Sequence, residues 1–157
     1  MSDGESAASV ARRDSDARLI AWGQFILVVV GIVVAGYLSY TYTSGSSIVC
    51  GPVGDCEGVR ASAYAGVMGI PVPVIGLVSF IVYGVLLAGR LRLAGNLSYL
   101  AMLGMIVVAV AGLIFSWYLT YVELFVIRAV CTWCLASAFV ITVLAYLTGE
   151  DAWRELA

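Results

Sequence analysis

Four cysteines carry the reactive chemistry of this sequence, and they fall into two pairs. Cys50 and Cys56 are separated by five residues that include two glycines and a proline, whereas Cys131 and Cys134 form a CxxC motif. Because a thiolate can attack a disulfide, two such pairs can pass electrons to one another by exchange, without a metal. The chain contains no His, which excludes imidazole catalysis and His-containing zinc sites. Thiol–disulfide chemistry is what the reactive residues predict.

Each pair also has a structural interpretation. The CxxC motif is predicted at the N-terminal end of a helix, where the helix dipole and Arg128 would favour a thiolate, more so at Cys131. It would otherwise be a structural disulfide or two buried thiols. The Cys50 and Cys56 pair is either a mobile pair that exchanges disulfides with its partners or a static disulfide that fixes the loop. A four-cysteine zinc site is disfavoured because such sites prefer two CxxC pairs and the chain has one, so no metal is predicted.

The elements that must position these cysteines are membrane-spanning helices. Hydrophobic residues make up 62% of the chain and charged residues only 11%, far from the composition of a soluble domain. Four apolar stretches are each about 20 residues long, the length that crosses a bilayer. The predicted fold is therefore an all-α integral membrane bundle, 19–148, between a disordered tail, 1–18, and a short tail, 149–157. Its four spans are predicted at about 19–42, 71–89, 97–120 and 130–148, with an outer cap at 44–70 that contains a half-helix over Val59–Met68.

The arginines predict the orientation of the bundle. Six of the eight fall on one side of the predicted membrane and two on the other. By the positive-inside rule, both termini are expected in the cytoplasm and both cysteine pairs on the outer face. The net charge of −2 is small and leaves no basic stripe, so nucleic acid is not an expected partner. The inner set is Arg12, Arg13, Arg18, Arg90, Arg92 and Arg154; the outer set is Arg60 and Arg128.

Glu123 is the only acidic residue within or bordering an apolar stretch. An ionisable group in a membrane span is by default a candidate functional residue. Its position close to the membrane interface and five residues before Arg128 favours, slightly, a plain ion pair or a carboxylate that reaches to the interface.

The cysteines and the residues between them resemble the vitamin K epoxide reductase family, and in particular its bacterial branch. The resemblance covers about residues 20–148. It rests on the order of the motifs: the loop cysteines, then Val59, Ser62 and Tyr64, then Gly69-Ile70-Pro71 and Gly76, and finally Cys131-Thr-Trp-Cys134.

The resemblance implies a four-helix bundle that encloses a quinone beneath the outer cap. Cys134 matches the family's active-site cysteine, which faces the quinone, and Cys131 matches its exchange partner. Cys56 matches the loop cysteine that attacks Cys131, and Cys50 matches the outermost cysteine, which meets a soluble thiol protein. Ser62 matches a family serine thought to order the cap or to contact a quinone carbonyl.

Two positions depart from the vertebrate members, in which an Asn and a Tyr hydrogen-bond the vitamin. Val72 and Ala138 stand at the corresponding places, and neither side chain can donate a hydrogen bond. This favours a bacterial menaquinone or ubiquinone over vitamin K epoxide. Many bacterial members continue into a thioredoxin-like domain, whereas this chain stops at Ala157. A separate DsbA-like or thioredoxin-like partner is therefore expected, unless the domain was cut off.

The predicted function is that of a quinone-dependent oxidoreductase, multi-pass in a bacterial inner membrane, that generates disulfides for secreted proteins. The alternative is a structural membrane subunit with two static disulfides. A small transporter is less favoured because no span carries an ionisable residue away from its ends.

Overall fold

The computed structural model describes residues 2–52 and 54–156, which are helical apart from one two-stranded hairpin and connecting turns. Four helices in these ranges are long and apolar enough to cross a membrane, and they pack as a bundle. The predicted fold class is confirmed: the chain is a multi-pass membrane protein. In chain order the elements are α1 (Ser2–Ser44), α2 (Cys56–Arg60), β1 (Gly66–Val67), β2 (Ile70–Pro71), α3 (Val72–Arg92), α4 (Asn96–Tyr121), a π-helical turn (Val122–Ile127) and α5 (Thr132–Leu156).

The four long helices form a closed ring in which α1 and α4 each pack against both α3 and α5. Close approach depends on small residues, as membrane bundles require. A Cβ on Gly31 of α1 would lie 2.5 Å from the Phe80 ring of α3, so any larger residue there would push the helices apart. The buried core contains Val28, Ala35, Phe80, Tyr83, Leu87, Met105, Ala109, Val140, Ile141 and Leu144.

The helices run beyond the predicted spans. Residues 2–18, for which the sequence predicts a disordered tail, continue α1 as helix, and Met1 lies outside the described residues. Extending an existing helix needs no new nucleus, so a polar sequence that would be disordered alone can remain helical there. In the same way α4 continues through the π-helical turn to Ile127, and α5 runs through the predicted C-terminal tail to Leu156.

Ion pairs join the helix ends at the side of the bundle away from the cysteines. Arg90, at the end of α3, pairs with Asp151 and with Glu155 of α5, the latter at 3.0 Å. Arg154 pairs with Asp16 of α1 at 3.3 Å. The arginines that the sequence assigns to the inner side are thus on helix segments that meet at one end of the bundle.

The cap between α1 and α3 contains a short helix, as predicted, but it covers Cys56–Arg60 and not Val59–Met68. The following residues turn and form a hairpin in which Val67 pairs with Ile70. Met68 and Gly69, at its tip, have φ values of +51° and +85°. Two consecutive positive φ angles make a tight two-residue hairpin turn, which cannot continue a helix. Proline then starts α3, with Pro71 at the N-cap and Pro73 in the first turn.

Candidate redox site

The loop that carries Cys50 and Cys56 is docked near the start of α5 by hydrogen bonds at the residue before each cysteine. The Asp55 backbone N–H donates to the Val130 carbonyl at 2.9 Å. The Trp133 indole Nε1–H donates to the Val49 carbonyl at 2.8 Å, and the Val49 N–H donates to the Tyr37 hydroxyl at 3.2 Å. The Tyr37 and Trp133 rings are 5.1 Å apart. The CxxC motif therefore fixes the position of the other cysteine pair.

Charged residues of α2 fix the same loop locally. Asp55 caps the helix, because its Oδ1 accepts a hydrogen bond from the Gly58 N–H at 2.9 Å. Glu57 accepts from the Ile48 N–H at 3.0 Å. Arg60 donates to the Ser46 carbonyl at 2.8 Å. These contacts close both ends of the loop, so Cys56 is held at the first position of a capped helix.

The two pairs are in different redox states. Cys50 and Cys56 form a disulfide with their Cα atoms 6.0 Å apart, whereas Cys131 and Cys134 are free thiols. Cys56 and Cys131 are 1% and 0% exposed and belong to one buried apolar cluster, against which Cys50 and Cys134 pack. We call it the cap cluster; its other fully buried members are Leu38, Ile48, Val59 and Ala129.

The CxxC motif lies at the N-terminus of α5, as predicted. The Cys131 carbonyl accepts the Leu135 N–H at 3.0 Å, and Cys131 Sγ accepts the Cys134 N–H at 3.3 Å. The hydrogen bond from the Cys134 side chain lowers the pKa of the Cys131 thiol, with backbone N–H groups helping and burial and the negative charge of Glu123 opposing. The predicted preference for a thiolate at Cys131 therefore has a different main source from Arg128, whose side chain is exposed.

A pocket opens between the helices directly below the cap. It encloses about 1010 Å³, including the space at its mouth, and Cys134 lines it whereas Cys131 does not. The walls are mainly apolar, with seven hydroxyl-bearing side chains and one carboxyl group. Apolar walls with few polar groups are typical of sites for small organic molecules. The apolar lining includes Leu38, Val59, Ile75, Phe80, Phe115, Leu119, Val122, Ile127 and Ile141; the polar lining includes Tyr42, Ser62, Ser79, Ser116, Thr120, Glu123 and Ser137.

Of the three residues predicted near a quinone, two line this pocket and one does not. Ser62 and Val72 line it. The Ser62 hydroxyl donates to the Val59 carbonyl at 2.6 Å, which holds the turn after α2. Ala138 is half-buried and is not part of the lining; Ser137, one residue earlier on α5, takes the place facing the pocket together with Cys134.

Glu123 is the residue whose position the sequence predicted least well. Its carboxylate is 5% exposed, lines the pocket, and accepts a hydrogen bond from the Cys131 N–H at 3.4 Å. Cys134 lines the same pocket. The expected pair with Arg128 is not among the ion pairs of residues 2–52 and 54–156. The sequence does not predict the π-helical turn that places Glu123 in the pocket wall and ends at Arg128, whose φ is +56°.

Comparisons with known proteins relate this chain to a family. The sequence model of the vitamin K epoxide reductase family matches residues 22–149, a range that contains all four cysteines. The chain is similar to the thiol-disulfide oxidoreductase LTO1 of Arabidopsis thaliana, with 33% identity over 126 residues that cover 73% of this chain and 32% of that protein. The chain thus spans about a third of the length of this relative.

Proposed function

This chain belongs to the vitamin K epoxide reductase family of thiol–disulfide oxidoreductases, and we propose that it passes electrons from a soluble thiol protein to a quinone. The order of transfer is the partner, then Cys50 and Cys56, then Cys131 and Cys134, then the quinone. The observation that carries the proposal is the arrangement of the four sulfurs. Cys134 lines the pocket, Cys131 and Cys56 are buried together in the cap cluster, and Cys50 lies at the edge of that cluster.

The first transfer takes place in the cap. A thiolate of the partner attacks Cys50, and Cys56 leaves; the partner's second thiol then releases the oxidised partner. Cys56 next attacks Cys131 of an oxidised CxxC motif, and Cys134 leaves as a thiol. When Cys50 attacks Cys56, the outer disulfide forms again and both electrons are on the inner pair. A disulfide at Cys50–Cys56 with free thiols at Cys131 and Cys134 corresponds to the end of this transfer.

The pocket residues fit a quinone as the acceptor. A flat ring with an apolar tail suits a mainly apolar pocket between membrane helices, and Cys134 supplies the sulfur beside it. A bound quinone would supply an acceptor for two electrons and two protons. Val72 lines the pocket without a side-chain donor, which supports a bacterial menaquinone or ubiquinone over vitamin K epoxide.

The direction of the reaction follows from the placement of the cysteines. The arginines at the opposite end of the bundle favour a cytoplasmic location for that end and an outer location for both cysteine pairs. A bacterial envelope is kept oxidising by quinone-linked enzymes and not by a thiol buffer. We therefore place the protein in a bacterial inner membrane, where it makes disulfides in secreted proteins through a DsbA-like carrier.

The deciding experiment measures the redox state of that carrier. The full chain is reconstituted in vesicles with a reduced DsbA-like protein and either menaquinone or ubiquinone, and both carrier thiols and quinone absorbance are followed. We expect the carrier to become oxidised as one quinone is reduced, and disulfides to be restored in a bacterium that lacks DsbB. A carrier that stays reduced beside correctly inserted protein would contradict the direction or the partner.

A further inference from the structure

Glu123 has contacts that an incidental membrane carboxylate would lack. It lines the pocket together with Cys134, and its carboxylate accepts a hydrogen bond from the Cys131 backbone N–H at 3.4 Å. It also lies in a π-helical turn, a rare local structure that occurs often at functional sites. Burying a carboxylate costs free energy unless hydrogen bonds or charges compensate for the lost water. Here the Cys131 backbone N–H is one compensating donor.

We propose that Glu123 is a catalytic residue that holds the Cys134 proton in place at rest and carries it to the molecule in the pocket when that sulfur reacts. The proposal rests on the proposed function, which supplies the acceptor. It adds the route of a proton to a relay otherwise described only by its sulfurs.

The overall reaction balances with Glu123 unchanged. The S–H bonds of Cys131 and Cys134 break, one S–S bond forms between them, and two electrons and two protons leave the pair. A quinone that accepts them has both carbonyl oxygens converted to hydroxyls. Glu123 takes the proton from Cys134 and gives it up again, so the carboxylate is restored after each turnover, while the second proton comes from Cys131.

In this proposal, a charged Glu123 favours the protonated Cys134 thiol before the reaction. A carboxylate beside a thiol disfavours a second negative charge and, as a hydrogen-bond acceptor, favours the S–H form. Tyr42 of α1 is another titratable group that lines the pocket with Glu123 and Cys134. Arg60 lies 5.7 Å from the centre of the Tyr42 ring.

The test is Glu123→Gln, which keeps the size of the side chain and its acceptor oxygen for the Cys131 N–H but removes the charge. The first readout needs no quinone: the fully reduced chain is alkylated at neutral pH, and modification of Cys134 is measured by mass spectrometry. We expect faster alkylation, by about 10-fold for each pH unit by which ionisation of the Cys134 thiol shifts to lower pH. The second readout is quinone reduction, which we expect to fall by about 100-fold, the lower range for loss of a general acid–base group.

The opposite signs of the two changes separate proton transfer from a structural role. A variant that is only distorted would lose quinone reduction without faster alkylation, and that result would overturn the proposal. Faster alkylation with unchanged quinone reduction would also overturn it. Glu150→Gln, which removes one negative charge from the far end of α5, is the matched control and should change neither readout.

Glu123→Asp keeps the proposal testable if the Gln variant does not fold. It retains the charge on a shorter side chain, so Cys134 should alkylate at about the wild-type rate, whereas quinone reduction should fall because the carboxylate reaches less far. Alkylation well above wild type, or unchanged quinone reduction, would contradict the proposal. A wild-type chain that reduces no quinone would contradict the proposed function instead, because the alkylation readout is independent of quinone.

Discussion

The Asp55 backbone N–H donates a hydrogen bond to the Val130 carbonyl at 2.9 Å, so the residue before Cys56 is tied to the residue before Cys131. Two cysteine segments that are far apart in the chain are thereby held in a defined register. Exchange between disulfides requires a sulfur of one pair to approach a sulfur of the other closely. This backbone contact gives the proposed relay a fixed geometry, and it is the basis for the predictions that follow.

Gly54→Ala should slow transfer between the pairs. A Cβ at Gly54 would lie 2.6 Å from Thr132 Oγ1 and 3.0 Å from Cys50 Sγ, so the docked loop would have to move away from α5. Gly51→Ala is the matched control from the same loop, because nothing lies within 4 Å of its Cβ. The measurement is the rate of carrier oxidation with excess quinone. Equal rates for the two variants would show that docking at Gly54 does not limit transfer.

Loss of Cys134 and loss of Cys50 should have different consequences. Cys134→Ala should abolish quinone reduction with every reductant and leave the fold intact, because Cys134 is the cysteine that lines the pocket. Cys50→Ala should block the protein carrier, yet a small membrane-permeant reductant should still drive the inner pair. If both variants lose activity equally with all reductants, the order of the relay is wrong.

The Cys134 side chain should control the ionisation of Cys131. Its hydrogen bond lowers the pKa of Cys131, so the Cys131 thiolate persists to lower pH than an ordinary thiolate. In a Cys50→Ser, Cys56→Ser background, adding Cys134→Ala should shift the ultraviolet thiolate titration of Cys131 to higher pH. Cys134→Ser keeps a donor and should shift it less. Identical titration midpoints for the Ala and Ser variants would contradict this explanation.

Gln24→Leu should stabilise the protein without affecting the relay. Gln24 of α1 is 1% exposed, and within residues 2–52 and 54–156 neither atom of its amide has a hydrogen-bond partner. A buried polar group without a partner costs about 1–3 kcal/mol, which an apolar side chain of similar size avoids. Thermal unfolding in detergent should show a higher midpoint with unchanged quinone reduction. A lower midpoint would indicate that the amide has a partner, such as a buried water.

Much of the architecture could be predicted from the sequence because membrane spans have a strong signal. The lengths of the apolar stretches predicted the four helices. The positions of Cys50 and Cys131 in the connections between these stretches predicted that both cysteine pairs lie at the same end of the bundle. The cap was predicted less well. The helical spacing of residues over Val59–Met68 predicted a helix there, but the positive φ angles of Met68 and Gly69 form a hairpin turn.

The details of the pocket depend on angles that the sequence does not contain. A shift of one residue around α5 is a rotation of about 100°, and this separates Ala138, which the resemblance places near the quinone, from Ser137, which lines the pocket. Likewise, the burial of Glu123 depends on a π-helical turn, and no periodicity in the sequence predicted one. Small angular differences of this kind are decided by tertiary packing.

The most direct test of the relay is to trap its central step in Cys134→Ala. Without Cys134, the Cys131 thiol cannot form the inner disulfide and reduce a quinone in the pocket. It should instead attack Cys56 of the outer disulfide, with Cys50 released. Disulfide mapping of this variant by mass spectrometry should therefore find a Cys56–Cys131 bond and a free Cys50. An intact Cys50–Cys56 bond beside a free Cys131 would contradict the relay and would favour a structural membrane subunit with static disulfides.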